Sequence, residues 1–320
     1  MSFSEPCALA VDFGGTSIKM GVTAGERILA TADRIPTAMF ESPQAIIDAM
    51  IASARTLRGQ FPSACVMGMG MPGWCDYQRG VLYQLTNVRV WDREIPVKEM
   101  MEQALGLPVV LDNDANCMAY AEWKLGAGKG KRHLVCLTLG TGVGSGLIVN
   151  GELLRGATCS AGELGQTSID YRGRLGHYGN RGSLEDYVGN REIAADARTL
   201  YASHGIDKAI VDCNPISLER AALAGDEVAE QVWRDLAVKL SCALMNCCYL
   251  LNPEAIIIGG GVAKARTLLF QPLQEIMKTQ LAAPLVEYLE ILPARFGTEA
   301  GILGAAHLAL NTHFGETFRA

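Results

Sequence analysis

Residues 8–22, which have the sequence ALAVDFGGTSIKMGV, constrain the fold of this chain more than any other stretch. They consist of two apolar runs joined by a short polar turn. This pattern predicts a β-hairpin, because glycine at a bend lets one strand turn back on the other. The first run ends in the carboxylate of Asp12, and the turn is followed by Lys19.

The chemistry of this turn is typical of a phosphate site. Gly14 and Gly15 leave backbone N–H groups unshielded, Thr16 adds a hydroxyl, and Lys19 adds a positive charge. Asp12 is suited to hold a hydrated Mg²⁺ at the end of the strand. An ordinary hairpin with a glycine turn accounts for the same residues, since short motifs often match by chance.

The second half of the chain opens in the same way. Residues 133–139 form an apolar run, Gly140, Thr141 and Gly142 form a turn, and residues 143–149 form a second run. This weak internal repeat lacks the aspartate of the first copy. Two glycine hairpins at the heads of two halves favour a pair of phosphate contacts over two ordinary connections.

The composition bounds the class of protein. A length of 320 residues, with 49% hydrophobic and 19% charged residues, predicts two ordinary globular domains. A net charge of −6 does not indicate the positively charged surface that binds nucleic acid or an anionic membrane. No apolar run reaches the ~18 residues of a spanning helix, and the first residues lack the pattern of a signal peptide. We therefore expect neither a nucleic-acid nor a membrane partner.

The cysteines favour the cytoplasm. The chain contains 10 of them, and none is spaced as C-x-x-C. Most lie within apolar runs, where a free thiol behaves as a small hydrophobic group. Without a secretory signal, reduced core thiols are expected rather than disulfides.

Polar side chains follow two further predicted strands. Residues 68–73 match G-x-G-x-x-G, but we reject a dinucleotide site there because Pro72 continues a loop where that motif requires a helix. Residues 112–114, Asp-Asn-Asp, lie between a predicted strand at 109–111 and a predicted helix at 115–125. Such strand ends commonly carry sites, although an Asx turn with a helix cap accounts for the same residues.

Two features near the middle and the end of the chain complete the pattern. The glycine-rich and lysine-rich residues 126–131 are the best candidate for a domain joint. A buried strand at 255–258 runs into Gly259, Gly260 and Gly261, where a flat ring could approach the backbone. We assign these glycines to the adenosine end of a nucleotide.

Together these residues resemble the ROK family of repressors, uncharacterised reading frames and kinases. The resemblance covers nearly the whole chain. It rests on six motifs in the family's order: DFGGT at 12–16, GMPG at 70–73, ND at 113–114, LGTGVG at 139–144, GELG at 162–165 and IGGG at 258–261. It implies an α/β fold of the actin-like (ribonuclease H-like) ATPase class, with two α/β domains and a cleft between them. The expected domains are residues 1–125 plus 298–320, and residues 126–297.

The resemblance also implies an activity. Kinases of this family transfer the γ-phosphate of ATP to a sugar hydroxyl, usually the 6-hydroxyl of a hexose such as glucose. Phosphoryl transfer needs positioning, charge neutralisation and a carboxylate that accepts the hydroxyl proton, and Asp114 is the expected base. The expected sugar contacts are Gly73, Asn87, Asn113, Asp114, Glu163, Gln166 and Glu185. The expected contacts to MgATP are Asp12, Gly14, Gly15, Thr16, Lys19, Gly140, Thr141, Gly142, Gly259, Gly260 and Gly261, with Asp12 holding the metal through water.

Two alternatives stay open. An N-acetylhexosamine kinase, for N-acetylmannosamine or N-acetylglucosamine, fits the same motifs. A non-catalytic, sugar-responsive sensor or repressor is the alternative of another class, but family repressors carry a helix-turn-helix domain ahead of the kinase-like body. Here only residues 1–7 precede the first strand. Relatives often dimerise, so a homodimer is expected.

The chain departs from the family at its zinc motif. Many relatives hold zinc with one histidine and three cysteines, and the aligned positions here are Gln166, Gly176, Tyr178 and Ser183. None of these supplies a thiolate or an imidazole, which structural zinc sites nearly always use. We therefore expect no structural zinc, and we expect Tyr178 packing and hydrogen bonds from Gln166 and Ser183 to hold this loop instead.

Overall fold

Two β-hairpins, one in each half of the chain, begin the two main sheets of the protein. The structure is a computed structural model, and it describes residues 6–83, 85, 88 and 90–315. The strands are β1 (Cys7–Phe13), β2 (Ser17–Ala24), β3 (Arg27–Thr31), β4 (Ile35–Pro36), β5 (Ala64–Met71), β6 (Cys75–Asp76), β7 (Val81–Leu82), β8 (Val109–Asn113), β9 (Leu134–Leu139), β10 (Val143–Val149), β11 (Glu152–Leu153), β12 (Ala255–Gly260) and β13 (Glu290–Pro293). The α-helices are α1 (Pro43–Gln60), α2 (Val97–Leu105), α3 (Asp114–Lys124), α4 (Glu185–Val188), α5 (Asn190–Ser203), α6 (Pro215–Leu223), α7 (Glu227–Leu251), α8 (Thr267–Gln280), α9 (Ala283–Val286) and α10 (Ala300–Phe314).

The two sheets repeat one topology. The first has the order β3-β2-β1-β5-β8, with β4 added beside β2, and the second has the order β11-β10-β9-β12-β13. In each, an antiparallel hairpin is followed by two parallel strands. The internal repeat predicted from the glycine turns therefore extends over five strands of each sheet.

Several elements end later or earlier than the sequence predicted. β8 continues to Asn113, so the polar Asn113 belongs to the strand end rather than to a loop. α3 begins at Asp114 because the Asn113 side chain caps the helix. β12 includes Gly259 and Gly260, which the sequence analysis placed after the strand.

Backbone contacts divide the chain into two units. The first comprises residues 1–129, 153–161 and 298–320, and the second comprises 130–152 and 162–297. The short segment 153–161 differs from the expectation, which assigned all of 126–297 to the second domain. Its Arg155 pairs with the buried Asp112 of β8, and this contact explains its place in the first unit.

Helix α10 packs against the first sheet through glycines. A Cβ atom added at Gly68 of β5 would lie 1.9 Å from the Ala305 carbonyl oxygen, and one at Gly304 would lie 1.7 Å from the Cys117 carbonyl oxygen of α3. Helix α10 thus completes the core of the first unit, between the sheet and α3.

We expect Gly304→Ala to destabilise the protein by about 1–3 kcal/mol, because the backbone contact leaves no room for a methyl group. Gly59→Ala is the matched control. It lies inside α1, and its added Cβ would meet no described atom within 4 Å. It should raise the free energy of unfolding by roughly 0.5–1 kcal/mol. Urea unfolding midpoints measure both, and equal midpoints for the two variants would contradict the close packing of α10.

Candidate active site

The first hairpin turn lies beside a cross-strand ion pair. The register pairs Asp12 with Lys19, and Lys19 Nζ lies 2.7 Å from Asp12 Oδ2. The turn is fixed by the Gly14 N–H, which donates to the Ser17 carbonyl at 3.0 Å. The Thr37 hydroxyl donates to the Gly15 carbonyl at 2.7 Å. Lys19, predicted to contact phosphate, here neutralises the carboxylate that was predicted to hold the metal.

A second polar group forms at the end of β8. Asn113 accepts hydrogen bonds from the N–H groups of Ala115 and Asn116, at 2.9 and 3.2 Å, and so caps α3. Its side-chain Nδ2 donates to the Gly73 carbonyl at 3.0 Å. Gly73 has a φ of +71°, which favours glycine. Three predicted site residues, Gly73, Asn113 and Asp114, are therefore brought together, whereas Asn87 lies outside the described residues.

Behind this group lies an ion pair that the sequence analysis did not single out. Asp112 is 2% exposed, and Arg155 donates to its Oδ2 from Nε and Nη2, each at 2.8 Å. The carboxylate also accepts from the Asn113 N–H and from Asn116 Nδ2. A buried carboxylate needs such partners, because an uncompensated charge is costly inside a protein.

The thiol of Cys117 lies in this negative environment. Burial raises its pKa well above the usual range, and the charge of Asp112 raises it further. A cysteine with a raised pKa stays protonated and is a poor nucleophile. Cys117 is therefore a packing residue of α3.

The second hairpin turn is bound to a carboxylate from a distant part of the chain. The Val143 N–H donates to Glu185 Oε2 at 2.8 Å, and Gln166 Nε2 donates to Glu185 Oε1 at 3.3 Å. A Cβ added at Gly142 would lie 2.4 Å from Glu185 Oε2. Two predicted sugar contacts, Gln166 and Glu185, thus lie together beside a predicted phosphate contact, Gly142.

The three glycines after Ile258 have different environments. A Cβ at Gly260, where φ is +87°, would lie 2.2 Å from the Leu139 carbonyl of β9. Gly260 is therefore required by strand packing. A Cβ at Gly261 would meet no described atom within 4 Å. Gly261 is the one of the three that leaves its backbone open to a ligand.

Comparison with known proteins decides the family. The profile of the ROK family matches residues 8–312, nearly the whole chain. The chain belongs to the ROK family.

The glucokinase of Streptomyces coelicolor is 34% identical over 315 residues, which are 94% of this chain and 96% of the relative. The glucokinase of Halalkalibacterium halodurans is also 34% identical, and 95% of each chain is covered. Among solved structures, a ROK family glucokinase from Streptomyces griseus in complex with glucose and AMPPNP aligns with a TM-score of 0.81 and 31% identity, over 95% of this chain and 99% of that one. The predictions of the ROK family, of the actin-like α/β fold and of an ATP-dependent carbohydrate kinase are confirmed.

In this ROK protein, the loop of the family's zinc motif is held by Asn180. Asn180 Nδ2 lies 2.8 Å from both the Gln166 carbonyl and Ser183 Oγ. The predicted packing of Tyr178 is limited: its side chain is 53% exposed, and its ring makes an edge contact with the ring of the neighbouring His177. Within the described part of the chain, no three His, Cys, Asp or Glu side chains form a group that could hold a metal.

Ser145 of β10 is a further contact that the sequence analysis missed. Its hydroxyl donates to the Gly162 carbonyl and accepts from the Leu164 N–H. It thereby fixes both neighbours of Glu163, a predicted sugar contact. The sequence indicates this contact only by placing a small polar residue, Ser145, on a mostly apolar strand. Among the residues with described positions, no helix is long and apolar enough to cross a membrane.

Proposed function

We propose that this ATP-dependent hexose kinase transfers the γ-phosphate to the 6-hydroxyl of glucose. The observation that carries the proposal is the group formed by Gly73, Asn113 and Asp114, in which an amide, a carbonyl and a carboxylate meet where β8 ends and α3 begins. A sugar ring presents hydroxyl groups that need several donors and acceptors, and this group supplies both. Similarity to glucokinases over nearly the whole chain supports glucose as the hexose.

In the proposed reaction, Asp114 accepts the proton of the attacking hydroxyl. It is the first residue of α3, and the Ala115 N–H lies 2.9 Å from its Oδ1. That contact fixes the carboxylate against its own helix terminus. Glu185 and Gln166, which are bonded to each other, are further candidates to bind the sugar hydroxyls.

The residues of each hairpin turn have the chemistry of a phosphate contact. Gly14, Gly15, Thr16 and Lys19 in the first turn, with Gly140, Thr141 and Gly142 in the second, would bind phosphate oxygens, and Gly261 would admit the adenosine. Asp12 supplies the oxygen donor that Mg²⁺ prefers, and it would hold the ion through water. When bound, the ion neutralises charge on the transferring phosphate. The part of these residues is to position the nucleotide in line with the hydroxyl.

The test is an ADP-release assay with glucose, mannose, N-acetylglucosamine and N-acetylmannosamine. We expect the highest kcat/KM for glucose. A preference for an N-acetylhexosamine would instead support the alternative substrate class. The replacement of the family's histidine by Gln166 is compatible with such a preference. Sugar binding with no ADP release from any of the four would indicate a non-catalytic sensor.

We also propose that the protein needs no structural zinc. Hydrogen bonds from Asn180 to Gln166 and Ser183 join residues at which relatives place zinc ligands. We therefore expect a chelator to leave the melting temperature unchanged and elemental analysis to find no stoichiometric zinc. One zinc per chain would contradict this proposal together with the alignment of the loop.

Two further proposals concern the cellular form. The cytoplasm is the expected compartment, since all 10 cysteines are free thiols in the structure.

A homodimer is expected from the family resemblance, and the exposed apolar side chains Val238, Tyr249 and Leu250 of α7 are available to contact a second copy. Sedimentation equilibrium measures the oligomeric state.

A further inference from the structure

The ion pair between Arg155 and Asp112 lies directly behind the group that the proposed function uses. Asp112 is two residues before Asp114, and Asn113 between them caps α3 and binds Gly73. The Asp112 carboxylate accepts from the Asn113 N–H at 2.8 Å and from Asn116 Nδ2 at 2.9 Å. It thus contacts the backbone on one side of Asp114 and the first turn of α3 on the other.

Arg155 is distant from Asp112 in the sequence. It lies on the segment 153–161, which belongs to the first unit although the residues on both sides of it belong to the second. The Ala161 N–H donates to the Arg155 carbonyl at 3.0 Å and closes this segment into a loop. The Arg155 guanidinium lies 3.8 Å from the centre of the Tyr77 ring, and Tyr77 in turn shares a hydrogen bond with Thr312 of α10.

We propose that Arg155 is a positioning residue for the transfer reaction, acting through Asp112 on Asn113 and Asp114. The inference rests on the proposed function, in which Asp114 is the base. A buried carboxylate with a fixed cation keeps one geometry, because any movement of the turn would break several charge-assisted hydrogen bonds. Without the guanidinium, the carboxylate is driven toward solvent, and the turn that carries Asn113 and Asp114 moves with it.

The same placement explains the course of the chain. The residues that follow segment 153–161 include Glu163, a proposed sugar contact of the second unit. Arg155 therefore anchors to Asp112 a segment that precedes a proposed sugar contact in the sequence.

The test compares Arg155→Gln, Arg155→Lys and the double variant Asp112→Asn/Arg155→Gln. A displacement near 1 Å lowers rates by up to roughly 100-fold, so we expect Arg155→Gln to lower kcat by about 10- to 100-fold at temperatures well below its melting point. KM for ATP should change little, since the nucleotide contacts are elsewhere. The double variant should recover part of kcat, because it removes the uncompensated charge. Arg155→Lys keeps the charge without the planar fork of the guanidinium. Its kcat should therefore lie between those of the wild type and Arg155→Gln.

Arg79→Gln is the matched control. Arg79 pairs with Asp76 in the same unit at 3.9 Å, but its side chain is 62% exposed, and its loss should leave kcat unchanged. Wild-type kcat in folded Arg155→Gln would overturn the inference. So would equal losses of kcat in Arg155→Gln and in the double variant.

Amide hydrogen exchange keeps this test separate from the proposed function. The N–H groups of Ala115 and Asn116 are bonded to the Asn113 side chain, and their exchange should accelerate at least about tenfold in Arg155→Gln if the turn is released. This readout requires no catalysis. A wild-type protein that phosphorylates no sugar would refute the proposed function alone, whereas unchanged exchange at these amides would refute the positioning role alone. If Arg155→Gln fails to fold, the neutral double variant and Arg155→Lys carry the same comparison.

Discussion

Replacing Asp114 by Asn is expected to lower kcat by about 10²–10⁴-fold while the sugar affinity is largely kept. The variant retains the size of the side chain and an oxygen that can accept from the Ala115 N–H, which lies 2.9 Å away in the wild type. It loses the ability to accept a proton from the sugar hydroxyl. Isothermal titration with the sugar, together with steady-state ADP release, separates binding from transfer.

The matched control is Glu99→Gln, which removes another carboxylate from the first turn of a helix in the same unit. Both changes lose a favourable interaction with a helix dipole, worth about 0.3–1 kcal/mol, so both should lower stability slightly. The loss of transfer should appear only at Asp114. Near-wild-type turnover of Asp114→Asn would remove this residue from the proposed mechanism.

The second large effect is expected at the turn of the second hairpin. Gly142→Val should weaken the binding of both sugar and ATP and lower kcat/KM by roughly 100-fold, because displacing positioning groups by about 1 Å lowers rates by that factor. Its Cβ would lie 2.4 Å from Glu185 Oε2 and would push this carboxylate off the Val143 N–H. The same side chain would intrude where the proposal brings phosphate oxygens to the backbone.

Gly140→Ala separates these two causes within one turn. A Cβ at Gly140 would meet no described atom within 4 Å, so any effect of this variant reports on a ligand rather than on the protein's own packing. We expect ATP affinity to fall in both variants and sugar affinity to fall only in Gly142→Val. Unchanged ATP affinity in both would contradict the assignment of this turn to phosphate.

Local patterns in the sequence were sufficient for the two hairpins and for the helix that follows Asn113. The two glycine turns and the strands that they join depend on contacts between residues close in sequence. The strand ends were less accurate. Asn113 extends β8 and caps α3 at once, and only the folded geometry shows that one residue fulfils both roles.

Contacts between distant residues could not be predicted from the pattern. Arg155 and Asp112 are 43 residues apart, and nothing in the composition of either neighbourhood indicates the other. Likewise, Glu185 was expected to face a sugar, but its bond to the Val143 backbone depends on how a distant loop meets the second hairpin. Such pairs form when the chain packs into its tertiary structure, and local periodicity carries no information about them.

The discontinuity of the first unit has a consequence for the order in which the protein is made. Helix α10 packs on β5 and α3 through Gly68 and Gly304, yet it is synthesised after all of the second unit. At about 5–20 residues per second, roughly 10–40 seconds separate residue 129 from the end of α10 on the ribosome. During that interval the face of the first sheet that α10 will cover, including Ala8, Ala10 and Val66, has no partner helix. The second unit can thus complete its fold on the ribosome before the first unit gains its last helix.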